Sequence, residues 1–141
     1  MKPTRPAPPL IRIGLPLALL RVAAELTGTD KAAAIKAYDE IAADRNAGQV
    51  IQDLAALRSG FLLVDTAPYS GIRQRLEPQT AADKPFRHSA RELLALSAWK
   101  SGDTAAAKQW ATMIINDPLT PQGTRSRAEV LTELIASSGK G

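Results

Sequence analysis

The chain has 141 residues, a net charge of +4 and no cysteine, which excludes disulfides, thiolate metal sites and cysteine nucleophiles together. A length of this order is one domain by the usual prior and buries roughly two-thirds of its unfolded surface without covalent staples. The charge surplus is local: Lys2, Arg5, Arg12 and Arg21 have no acid among them, and the remaining fourteen basic and fourteen acidic residues cancel. A nucleic-acid binder carries its excess along a structured face, so nucleic acid is not expected as a partner.

Residues 1–15 read as a disordered, basic, proline-rich arm, because four of the ten prolines fall in the first nine positions and proline removes the helical donor. Leu10 to Leu20 is apolar, but Arg12, Gly14 and Pro16 interrupt it, and a spanning helix needs about 20 mostly apolar residues. A helical domain is expected over 16–138. Twenty-five alanines against four valines, with 4% aromatics, favour close-packed helices over strands.

Seven helices follow in order. The first covers about 17–27, with Leu19, Leu20, Ala23, Ala24 and Leu26 on its apolar side and Gly28 as its stop. The second, about 31–45, starts at Asp30, whose carboxylate suits the free N–H groups of a first turn. The third, about 47–65, opens on Asn46 and Gln49, a capping-box spacing. Its Val50, Ile51, Leu54, Leu57, Phe61, Leu62 and Val64 cover a broad apolar arc. A short fourth helix, about 68–77, has Pro68 in its first turn. The fifth, about 85–100, places Phe86, Ala90, Leu93, Leu94, Ser97 and Ala98 at helical spacing. The sixth follows Asp103 over about 104–116 and is closed by Pro118. The seventh takes Thr120 as cap and Pro121 as first residue, and turns Ala128, Leu131, Leu134 and Ile135 inward.

One pattern recurs. Ala34, Tyr38 and Ile41 repeat 72 positions later as Ala106, Trp110 and Met113, each set on one helical face. That offset is about two lengths of the ~34-residue helix–turn–helix repeat. Paired in order, helices one to six make three hairpins and the seventh caps them. With a small residue beneath an aromatic and Pro118 closing the last repeat, these residues resemble the tetratricopeptide repeat. More specifically, the segments Leu62 to Tyr69, Pro85 to Glu92 and Thr124 to Ala128 resemble tetratricopeptide-like periplasmic proteins of α-proteobacteria, distantly similar to the ancillary subunit of the bacterial Sec translocon.

The resemblance implies an all-α solenoid and a non-enzymatic protein–protein interaction module. It would be accessory to, or a scaffold for, envelope protein translocation or assembly at the periplasmic side of the inner membrane, with translocon or envelope folding factors as partners. Its members normally carry a spanning helix ahead of the repeats, so membrane attachment is expected only through a segment outside this sequence. The alternative is a structural domain that self-associates into homo-oligomers.

Candidate sites are few. His88 is the only histidine; neighbours on a helix do not face each other, so His88 and Ser89 with nearby Asp83 make no triad. Carboxylates stand singly, glycine-rich phosphate loops are absent, and one histidine without cysteine offers no metal set; no catalytic residue, cofactor or metal is expected. Tyr38 and Trp110 read as core, and Trp99 falls at a helix end. The basic group Arg73, Arg75, Arg87, His88 and Arg91 is the candidate partner-binding patch, suited to acidic segments of a client. Balance by Glu77, Asp83 and Glu92 makes an ordinary solvated face the plainer reading.

Overall fold

The computed structural model describes residues 9–139, and among these every regular element is helical, with no strand. Seven α-helices are present: α1 Pro9–Leu26, α2 Lys31–Ala43, α3 Gln49–Leu63, α4 Tyr69–Leu76, α5 Arg87–Lys100, α6 Thr104–Asn116 and α7 Gln122–Ser137. Short 3-10 turns at Arg45–Ala47 and Glu77–Thr80 punctuate the chain. The described helices pack as two compact units, one ending at Ser59 and one beginning at Gly60.

In the first unit α1 packs on α2. Helix α1 begins at Pro9, eight residues ahead of the expected start, so 9–15 of the anticipated arm are helical; residues 1–8 lie outside the described part. Pro9 fits a first turn, where no N–H is required. Pro16 sits inside the helix, depriving the carbonyl four residues earlier of its donor; its ring is buried, and burial of apolar surface offsets part of that loss. No helix among the described residues is long and apolar enough to cross a membrane.

Asp30 caps α2 as expected, its carboxylate accepting from the Ala33 N–H at 3.1 Å. Ala34, Tyr38 and Ile41 are all buried. Beyond α2 the expected capping box does not form. Asp44 instead accepts from the Asn46 N–H at 2.9 Å, and the Gln49 amide donates forward to Asp53 at 2.7 Å. The competing Asx turn at Asp44 uses up the residues that a capping box needs. Helix α3 is held to α2 by Ser59, whose hydroxyl donates to Asp39 at 2.6 Å, and by Gln52, which donates to the Ala42 carbonyl at 3.0 Å. Its buried positions are Asp53, Ala55, Ser59 and Gly60, whereas Val50 is 60% and Phe61 65% exposed. The apolar arc is therefore not its innermost face: small residues take the closest approach.

The second unit stacks α4 on α5, α5 on α6 and α6 on α7. At its start Gly60 lies so close to Leu76 that a Cβ there would meet Leu76 Cδ1 at 2.9 Å; a side chain would oblige the fully buried Leu76 to shift. Helix α5 ends where Gly102 takes a φ of 81°. The Gly102 N–H bonds the Trp99 carbonyl and the Asp103 N–H the Ala98 carbonyl, a Schellman ending that favours glycine. Asp103 then caps α6 through the Ala106 N–H at 3.0 Å.

Two sequence expectations change here. Helix α6 buries Ala107, Trp110, Ala111 and Ile114, leaving Met113 41% exposed; the face sits about one residue round from the Ala106–Trp110–Met113 set. Thr120 does not cap α7, which starts at Gln122 with Pro121 beside it. Its buried hydroxyl turns back to the Ile114 carbonyl at 2.7 Å, an unsatisfied acceptor at the end of α6. On α7, Ala128, Leu131 and Ile135 are buried and Leu134 is 49% exposed.

Candidate partner-binding groove

The second unit gathers its polar chemistry at one carboxylate. Asp117 follows the last residue of α6, and its Oδ2 accepts from Arg87 Nε and from Arg91 Nη1, both at 2.8 Å. Residues 87 and 91 are four apart, so they share a face of α5. Arg91 is buried at 4% exposure and also donates from Nε and Nη2 to the Thr80 carbonyl, at 3.0 and 2.7 Å. Those bonds account for a guanidinium sitting out of water, which is costly unless paired and hydrogen-bonded. Arg87 adds a bond from Nη1 to the Lys84 carbonyl at 3.2 Å.

The loop after α6 is fastened from the other side as well. Asp117 Oδ1 accepts from the Leu119 N–H at 3.0 Å, and the Thr120 N–H donates to the Asp117 carbonyl at 3.1 Å. Arg125 of α7 donates to the Ile115 and Asp117 carbonyls, so a cation sits at the negative end of the α6 dipole. The guanidinium of Arg87 and the Leu119 N–H hold the Asp117 carboxyl well below the usual carboxylate range.

His88 completes the cluster. Its Nδ1 lies 3.3 Å from Thr120 Oγ1 and 3.9 Å from Asp117 Oδ2. Burial first, and then the neighbouring Arg87 charge, push its pKa below 6.5. The imidazole is therefore neutral at neutral pH.

A groove of about 500 Å³ opens over this network, lined by Ala82, Arg87, Arg91, Met113, Asn116 and Leu119 among others. Leu119 is 72% exposed, held out on a loop whose backbone is bonded on several sides. Met113 also lines a mostly apolar depression of about 600 Å³ with Thr104, Lys108 and Ile135. It further borders a cleft of about 390 Å³ with Tyr69, Arg73, Gln109 and Trp110. In that cleft Trp110 Nε1 donates to the Tyr69 hydroxyl at 2.7 Å.

The five residues of the sequence-derived patch thus divide. Arg87, His88 and Arg91 converge on Asp117. Arg73 and Arg75 stay exposed on α4, with Arg73 forked onto Glu77 at 2.9 and 3.3 Å. Arg91 cannot present its charge as a surface patch would, because it is enclosed and its donors point to Thr80 and Asp117. Sequence reasoning missed Asp117, Thr120, Arg125 and Leu119. The Asp-Pro-Leu-Thr-Pro run was a readable turn signal, but nothing in it showed which cations would meet there.

No protein-family model, no curated protein and no solved structure matches the chain.

Proposed function

We propose that the chain is a non-enzymatic protein-interaction module whose second unit holds a partner segment along the outer face of α6. The observation that carries this reading is the pairing of Leu119 and Met113, both exposed, with guanidinium edges in one groove on a fastened loop. Methionine and arginine are enriched at protein interfaces, and preorganised backbone lowers the entropy lost on binding. Arg91 is enclosed, so Arg87 at the groove edge is the cation a partner segment would meet, beside the exposed Leu119 and Met113. The tetratricopeptide resemblance supplies the setting: an accessory or scaffold for envelope protein translocation or assembly, on the periplasmic side of the inner membrane.

The test uses the full chain immobilised in detergent-solubilised envelope extract. Wild type should retain translocon or folding factors, and Leu119→Glu with Met113→Glu should lose them with an unchanged melting temperature. Equal retention by both proteins rejects the groove. Arg87→Glu with Arg91→Glu is not a clean test, since it dismantles the Asp117 network and so alters stability as well as charge.

Self-association is the second reading, favoured by one observation. Leu15, Leu19 and Val22 of α1 are 61%, 42% and 51% exposed at helical spacing, an apolar row of the kind that pairs with a like surface. Sedimentation over a concentration series, with Leu15→Glu and Val22→Glu as control, decides it: a dimer present in wild type and absent in the variant supports this reading.

A further inference from the structure

His88 touches the one loop that carries Leu119, and the hydrogen bonding around it determines which ring nitrogen holds the proton. Thr120 has a single hydroxyl hydrogen, and it is committed to the Ile114 carbonyl at 2.7 Å. A carbonyl only accepts, so in the neutral ring Nδ1 must be the donor to Thr120 Oγ1, 3.3 Å away. The remaining lone pair is on Nε2, and any added proton goes there.

The charged groups around the imidazole are Arg87 and Arg91 of its own helix, Asp117 of the loop, and Arg125 of α7, which grips the loop backbone. A protonated ring would be a third cation beside two guanidiniums. The only carboxylate described within ion-pair reach is 3.9 Å distant, and it already accepts from both arginines at 2.8 Å.

We propose that His88 is a pH-operated latch on the α6–α7 loop: the Nδ1–H bond to Thr120 is kept in both protonation states, and protonation at Nε2 crowds a third positive charge onto Arg87 and Arg91, loosening their shared grip on Asp117 and with it the loop that displays Leu119. The latch itself stands apart from what the groove binds; its use as a control on partner capture rests on the function proposed above. The sign follows from linkage. Desolvation and Arg87 lower the folded-state pKa, so the unfolded chain takes up a proton first as pH falls below about 6.5. Stability is therefore full above that value and declines as pH drops towards the folded-state pKa. Histidine is the side chain that ordinarily titrates in this window, and the chain has one.

The experiment needs no partner. The full-length chain is titrated by NMR from about pH 8 to about pH 5, following the His88 ring and the Leu119 and Thr120 amides, with melting temperatures alongside. The ring should titrate below its ordinary value and the two amides should move with the same midpoint. The melting temperature should fall by a few degrees across the window. His88→Asn keeps a donor for Thr120 but cannot take a proton, and should flatten that fall. A ring titrating at or above its ordinary value, motionless amides, or an equal fall in His88→Asn would overturn the latch. Failure of partner capture in the extract experiment would leave all three readouts untouched.

Discussion

Helices α2 and α6 carry the same alanine–aromatic motif and bury it differently. In α2 the whole Ala34–Tyr38–Ile41 set is inside. In α6 the buried face shifts by one residue to Ala107, Ala111 and Ile114 around Trp110, and Met113 emerges. The difference is one of neighbours. Helix α6 packs against α5 and α7, and α2 against α1 and, through Ser59 and Gln52, α3, so each helix's own neighbours set its buried face. The Trp110 ring also carries an N–H that wants a partner when enclosed, and the Tyr69 hydroxyl accepts it at 2.7 Å. No described hydrogen bond ends on the Tyr38 hydroxyl. A repeated motif therefore transmits burial of the ring, and its surroundings choose the angle.

The comparison breaks most visibly at the rings. Trp110→Ala and Tyr38→Ala should each cost about 3–5 kcal/mol in urea unfolding; a loss under 1 kcal/mol at either site would remove that ring from the core. Next comes the register. Ile114→Ala should cost about 2–5 kcal/mol, while Met113→Ala stays within about 0.5 kcal/mol. The reverse ranking would restore the register that the sequence repeat suggests. Asp117→Ala, which strips two arginines of their acceptor, should cost about 1.5–3 kcal/mol. Because the Asp117 carboxyl is held below its ordinary range, its contribution is complete above the unfolded value near 3.9 and drains away as pH falls below it. The acid limb of a stability–pH curve should flatten in Asp117→Asn. The finest test separates the polar handles: Trp110→Phe should cost about 1 kcal/mol more than Tyr38→Phe beyond the change in size.

How much was legible follows from the range of the interaction. Asp30 and Asp103 mark helix starts by bonds within a few residues, and both act where the pattern put them. The Asn46–Gln49 box and the Thr120 cap were local too, yet each lost to a rival bond. Asp44 claimed the Asn46 N–H, and the open Ile114 carbonyl drew in the Thr120 hydroxyl. The candidate patch was legible as composition and not as geometry. Arg87 and Arg91 were read as surface because charge usually is. Their pairing is with Asp117, 30 and 26 residues away, and a pairing at that separation leaves no trace in local spacing.

By itself the order of amino acids determined that the described part of this chain is helical, where most of its helices start and stop, and that the rings of Tyr38 and Trp110 are buried. Those outcomes rest on capping, propensity and apolar spacing, all of which act over one or two turns. Tertiary structure alone decided which way α6 faces, that Gly60 must stay small against Leu76, and that three residues of α5 converge on one carboxylate. Each of those depends on atoms brought together from distant positions, where packing volume and the cost of an unpaired charge outweigh any local preference.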